Sequence, residues 1–238
     1  NLKTQTMLHS SLNKQPSFSG GIGLATWDTQ TEYKDIEVIK DGKSIYKSDF
    51  INNAGEWKKV RGNWKVTDDG GFAQTAEGAQ LLSFLDGKTF DTYTLKLKAR
   101  KLSGYNAFII PFAIKDSNTF LRVHIGSWWN QNVVYENVTN GYEVADLTKQ
   151  KKLGIKIEPN KWYDIRIEVG TDYVKTYLED TLLATFTEPQ KFFAIAGKTD
   201  STGDVIIKVV NASSEAVQAD IQLSYISGIK KNGTEIVI

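Results

Sequence analysis

The sequence predicts an all-β protein, an antiparallel sandwich or barrel, and three observations carry that prediction. Apolar residues recur at every second position wherever a period is visible: Tyr93, Leu95, Leu97 and Ala99 alternate with Thr94, Lys96, Lys98 and Arg100. Turn signals separate such runs: Asp41-Gly42, Asp69-Gly70-Gly71, Asp86-Gly87, Ser103-Gly104, Asn140-Gly141 and Asn232-Gly233. Six tryptophans, ten tyrosines and eleven phenylalanines stand beside only four prolines in 238 residues, a composition suited to pleated sheet.

Taken in order, residues 1–19 are polar with little periodicity and read as a tail or connector. Residues 20–190 carry most of the strands. Asp91–Lys101 is the clearest half-buried strand. Ala107–Ile114 is apolar on both faces and reads as a central, doubly covered strand, with Pro111 marking a bulge or a sheet edge because proline removes a ladder donor. Trp162–Val169 and Tyr173–Glu179 alternate like the first. No amphipathic helix of three turns is visible, and Leu147–Leu153 reads as a solvated basic loop. After Glu188-Pro189, residues 191–238 form a compact strand set that includes Val217–Leu223 and turns at Asp200–Asp204.

Composition excludes several classes of function. Lys and Arg number 29 against 28 Asp and Glu, so no net field advertises a nucleic-acid partner. No apolar run approaches the roughly 20 residues of a membrane-spanning helix. The absence of cysteine removes disulfides, thiol nucleophiles and Cys-rich zinc sites. The two histidines, His9 and His124, have no second ligand at metal-binding spacing, and no Gly-x-Ser-x-Gly elbow presents a nucleophile. No cofactor is required. Calcium is left open by Asp68-Asp69, for which a solvated turn is the simpler reading.

The richest constellation is Phe120–Asn132. In a strand, Phe120, Arg122 and His124 share one face while Leu121, Val123 and Ile125 pack the other. Gly126-Ser127 then turns the chain and delivers Trp128, Trp129, Asn130, Gln131 and Asn132. An indole face stacks on the C–H face of a sugar, and amide and guanidinium groups bond its hydroxyls. Adjacent residues of an extended segment point to opposite sides, so both tryptophans face one ligand only if the backbone turns. Trp27, Trp57, Trp64 and Trp162 read as core. For glycoside hydrolysis, which needs two carboxylates about 5 to 10 Å apart, Glu77 and Glu136 are the candidates to examine, though spacing singles out neither.

Three stretches carry family resemblances. Residues 20–38, with Gly-Gly-Ile-Gly-Leu followed by Tyr-Lys-Asp-Ile-Glu-Val, resemble a strand pair of concanavalin-like (laminin-G or glucanase-type) domains. Lys161–Val169 with Tyr177–Leu183 is similar to the Trp-Tyr strand and following hairpin of the same superfamily, with Thr181 near the usual glycine. Phe193–Ala212, through Asp-x-Thr-Gly-Asp-Val-Ile-x-Lys-Val-Val-Asn, resembles the C-terminal β-segment of family 51 glycoside hydrolases, the α-L-arabinofuranosidases.

The resemblance implies a jelly-roll sandwich over residues 20–190 with a small additional β-segment over 191–238, the non-barrel portion of such an enzyme. That family's catalytic glutamates lie on a barrel that has no counterpart here, so no catalytic residue carries over. It implies a secreted protein, periplasmic, cell-surface or extracellular, with the missing barrel and a plant polysaccharide as partners. Binding would rest on Arg122, His124, Trp128, Trp129, Asn130 and Glu77. A ligand-free spacer or protein-interaction sandwich is the alternative. A glycoside-cleaving enzyme in its own right is a third reading, marked by facing carboxylates in a cleft with one pKa elevated.

Overall fold

A computed structural model describes residues 2–3, 8–11, 18–145, 147–187, 192–199, 201–212 and 220–223. The Asn232-Gly233 turn, residues 217–219 and Asp200 lie outside the described residues. The chain divides into two compact units, one formed by Gln15–Glu188 and one by Asn1–Lys14 with Pro189–Ile238.

Strands β1 (Leu2–Lys3) and β2 (Leu8–Ser11) belong to the smaller unit. The larger unit begins with β3 (Gly23–Thr26), β4 (Thr29–Lys40), β5 (Lys43–Ser48), β6 (Trp57–Lys59), β7 (Trp64–Val66), β8 (Phe72–Gln74) and β9 (Leu81–Leu85). It continues through β10 (Tyr93–Gly104), β11 (Phe108–Asp116), β12 (Thr119–Gly126), β13 (Asn132–Thr139), β14 (Tyr142–Ala145) and β15 (Lys151–Lys152). Strands β16 (Trp162–Val169), β17 (Tyr173–Leu178) and β18 (Thr181–Thr187) complete it. Finally β19 (Phe192–Thr199), β20 (Val205–Asn211) and β21 (Asp220–Leu223) return to the smaller unit, where β1-β19-β20 form one sheet and β2-β21 another.

The larger unit is a sandwich of two antiparallel sheets. One runs β18-β17-β16-β10-β4-β8-β7, with β5 also on β4; the other runs β14-β13-β12-β11-β3-β9-β6, with β15 also on β13. Alternation sets the register. Leu95 and Leu97 of β10 face Ile167 and Ile165 of β16, so one face of the pair is apolar and joins the core. Asn140 and Gly141, both at positive φ, make the tight β13–β14 turn, and Asp41-Gly42 does the same between β4 and β5.

Strand β11 is covered on both faces. Phe108, Ile110 and Phe112 enter the main core, while Ile109 packs on the opposite face with Ala25, Leu82, Phe120 and Val138. Fully burying each such side chain stabilises the fold by about 1.5–3 kcal/mol. Pro111 lies inside a central strand rather than at an edge. The β3 ladder is broken between the Ile109–Ala25 pair and the Gly21–Ile114 bridge, so the missing donor falls in that gap. The bulge comes just after the proline, at Ala113, whose φ is 50°.

Two tyrosines tie the sheets together. Tyr33 Oη donates to the Ala25 carbonyl (2.7 Å), and Tyr135 Oη lies 2.7 Å from Thr176 Oγ1. Burial pushes both phenols well above their ordinary range. Trp57 and Trp64 are core residues, as the alternation predicts. Trp162 is not: it stands on the outer face, with Lys34 Nζ 4.4 Å and Arg100 Cζ 4.5 Å from its ring centroid. The pairing with Arg100 puts it on the wet side of β10, a placement that its apolar character concealed. Leu147–Lys149 forms a single 3-10 turn.

Candidate functional site

Three loops and one sheet face converge on a cleft of about 550 Å³. The sheet face follows from register. His124 pairs with Val134 and Arg122 with Glu136, while Glu136 pairs with Ala145 and Val138 with Glu143. Cross-strand partners share a face, so His124, Arg122, Glu136 and Glu143 stand together. His124, Glu136, Glu143 and Ala145 line the cleft. Arg122 lies beneath them, 1% exposed.

The loops supply the walls. The β3–β4 turn brings Trp27 and Asp28, the β10–β11 connection brings Tyr105 and Asn106, and the β12–β13 connection brings Ser127, Trp128 and Trp129. Asn106 fastens the first two loops together: its Nδ2 donates to the Trp27 carbonyl (3.1 Å) and its backbone N–H to Thr29 Oγ1 (3.1 Å). Gly104 permits the approach. At its φ of +101°, a Cβ would lie 2.3 Å from the Asp28 carbonyl oxygen.

The β12–β13 connection turns left-handed. Gly126 has φ 77°, Trp128 45°, Trp129 57° and Asn130 65°. Each tryptophan so placed costs on the order of 1–2 kcal/mol, and such strain persists only where surrounding structure holds it. Asn130 holds it here: its Nδ2 donates to the Ile157 carbonyl (2.7 Å) and its Oδ1 accepts from the Ile157 N–H (3.1 Å). The turn is the condition under which two adjacent tryptophans can reach one site. Both line the cleft, Trp128 37% and Trp129 69% exposed, opposite an equally exposed Tyr105.

The electrostatics of the floor centre on Arg122. Its Nε donates to Glu136 Oε2 (2.6 Å), and its Nη2 lies 2.8 Å from Glu143 Oε1 without hydrogen-bond alignment. Trp27 lies against the guanidinium, 5.6 Å from ring centroid to Cζ. Burial raises the Glu143 pKa, and the nearby Glu136 adds to the effect against the opposing pull of Arg122. Burial, then the Arg122 charge, lowers the His124 pKa to about 3 and keeps the ring neutral. Arg122 Nη1 and His124 Nε2 have no hydrogen-bond partner among the described residues.

Of the residues proposed from sequence, Arg122, His124, Trp128 and Trp129 are thus brought together. Asn130 is buried beneath the turn as a clamp, and the exposed Glu77 is not among the lining residues. Glu136 reaches the cleft. Trp27, in the β3–β4 turn, is partly buried against the second hydrophobic cluster and also forms a wall of the cleft. Tyr105 and Glu143 escaped the sequence reading. Glu143 was accessible to it, since a two-residue turn at Asn140-Gly141 places Glu143 opposite Val138 and on the face of Glu136. Among the described residues no group of three or more His, Cys, Asp or Glu is arranged to hold a metal.

What the fold and cleft define is a β-sandwich module with an open aromatic cleft. No family model matches the chain, and no solved structure does. It is 32% identical over 211 residues to an extracellular exo-α-L-arabinofuranosidase of Streptomyces chartreusis. The match covers 86% of this chain and 25% of that enzyme, so the chain spans about a quarter of its relative's length. The similarity to arabinofuranosidases read from the sequence is borne out over most of the chain.

Proposed function

We propose that this chain is a non-catalytic, ancillary module of a secreted arabinofuranosidase-like glycoside hydrolase, and that its cleft binds plant polysaccharide. The observation that carries the reading is the left-handed turn that sets Trp128 and Trp129 in one cleft with Tyr105 and Trp27. Indole and phenol faces stack on sugar C–H faces, and the polar floor offers partners for hydroxyls. The similarity to an extracellular arabinofuranosidase supports a carbohydrate partner and secretion. Trp27, Tyr105, Trp128, Trp129, His124, Glu136 and Glu143 form the binding surface, with Arg122 and Asn130 as its support. Affinity is weak, because an open aromatic platform adds about 1 kcal/mol per stacked pair beyond area burial and hydroxyls must be desolvated.

Affinity electrophoresis with arabinan, arabinoxylan and a neutral β-glucan tests the reading. Retardation by at least one polymer, lost in Trp128→Ala or Trp129→Ala with the fold intact, is the expected result. Absence of retardation by all three favours a spacer.

One observation favours a second reading. Glu136 and Glu143 share the cleft and the Glu143 pKa is raised, the arrangement that marks a pair of glycoside-cleaving carboxylates. Both, however, are engaged by a single buried guanidinium. Release of reducing sugar from arabinoxylan, abolished in Glu143→Gln, would establish it.

A further inference from the structure

The titratable groups lining the cleft, apart from His124 and Tyr105, are all acids: Asp28 at the rim, Glu136 and Glu143 on the floor. No lysine or arginine is among the described lining residues. Arg122, the nearest guanidinium, is 1% exposed and engaged with Glu136 and Glu143. A ligand that reaches the floor of the cleft therefore meets carboxylates. It also meets His124, 5% exposed, neutral, and with Nε2 unpartnered.

We infer that the cleft takes uncharged glycan and rejects chains bearing uronic acids. The inference rests on the carbohydrate reading above and specifies its ligand class. Its ground is donor–acceptor matching. Glu136, Glu143 and Asp28 line the cleft and need donors, with the neutral ring of His124 beside them. A hydroxyl both donates and accepts, so vicinal hydroxyls satisfy such a floor. A sugar carboxylate only accepts. It has no donor to offer the acids, and negative charge on them repels it at close range, less so as salt screens the open cleft.

Glucuronoxylan and its carboxyl-reduced form, the same chain with each uronic acid converted to a neutral sugar, provide the test on the full 238-residue protein. The expected result is at least tenfold tighter binding of the reduced polymer at low ionic strength. The ratio should shrink as salt is raised and should narrow in Glu143→Gln, which keeps shape while replacing a carboxyl group with a neutral amide that can donate. Equal affinity for the two forms, or tighter binding of the native one, overturns the inference while leaving the carbohydrate reading intact. Failure to bind the reduced polymer, arabinan, arabinoxylan and β-glucan alike overturns both. Should Glu143→Gln not fold, the salt dependence of the wild-type ratio decides the matter.

Discussion

Removing the Asn130 amide probes how the cleft is held. Asn130→Ala deletes both bonds to Ile157 and leaves a buried N–H and a buried carbonyl unpartnered. Each orphaned group costs about 1–3 kcal/mol, with relaxation offsetting part of the sum. Alanine at φ 65° adds about 1 kcal/mol that asparagine, tolerant of left-handed backbone, largely avoids. The expected loss is about 3–5 kcal/mol, a large share of a typical domain's stability. Asn130→Gly loses the same bonds but not the backbone preference, so it should be about 1 kcal/mol less destabilising than alanine. Urea denaturation followed by tryptophan fluorescence gives both numbers, and the emission of Trp128 and Trp129 reports whether the turn survives. A cost below 1 kcal/mol for Asn130→Ala, or a glycine variant worse than alanine, would refute the clamp.

Other expectations follow from the same geometry. His124 has a folded pKa of about 3 against an ordinary 6.5, so the unfolded chain takes up a proton first as pH falls. Stability is therefore held above pH 6.5 and lost below it, at up to about 1.4 kcal/mol per pH unit. Glu143, with its pKa raised, works in the opposite direction: its contribution favours the folded state at low pH and is lost as pH rises. Denaturation at pH 7 and pH 5 should show a smaller loss in His124→Gln, and identical losses would exclude the assignment. Tyr33→Phe removes the inter-sheet bond to Ala25 and should cost about 1–2 kcal/mol in thermal or chemical unfolding, without altering the cleft. Gly104→Ala drives a methyl into the Asp28 carbonyl and should displace the Tyr105 loop. Weaker polysaccharide retardation with the sandwich still folded is its signature; unchanged retardation would dissociate that loop from binding.

The sheets were legible because burial is periodic. Leu95, Leu97, Ile165 and Ile167 announce a half-buried pair through alternation alone, and Phe108–Phe112 announces a doubly covered strand through its lack of alternation. Periodicity reached the cleft only where it lies on a strand, while Trp128 and Trp129 were legible from residue type on condition that the chain turns. Arg122 and His124 follow from period two, and both meet the site. Trp27, Tyr105 and the paired tryptophans sit in connections, where side-chain direction depends on individual φ angles that no period encodes. Asn130 illustrates the point: an amide in a Trp-rich run suggests a ligand contact, whereas its left-handed φ and two bonds to Ile157 make it a brace. Trp162 shows the converse, since an aromatic on an alternating strand need not face inward when cations flank it.

The smaller unit is drawn from both ends of the chain, with Leu2 opposite Thr199 and Leu8 opposite Leu223. All of Gln15–Glu188 intervenes, so this closure spans the sandwich. When the sandwich is unfolded, joining β1 to β19 means closing a loop of nearly two hundred residues; a folded sandwich shortens the free chain to a few tens. The difference, about three doublings in length, corresponds to about 2 kcal/mol of closure entropy. The two units are thus coupled through connectivity alone, and the coupling is reciprocal. Loss of either unit weakens the other by that same closure entropy, so a variant that destabilises one unit should speed hydrogen exchange in the other.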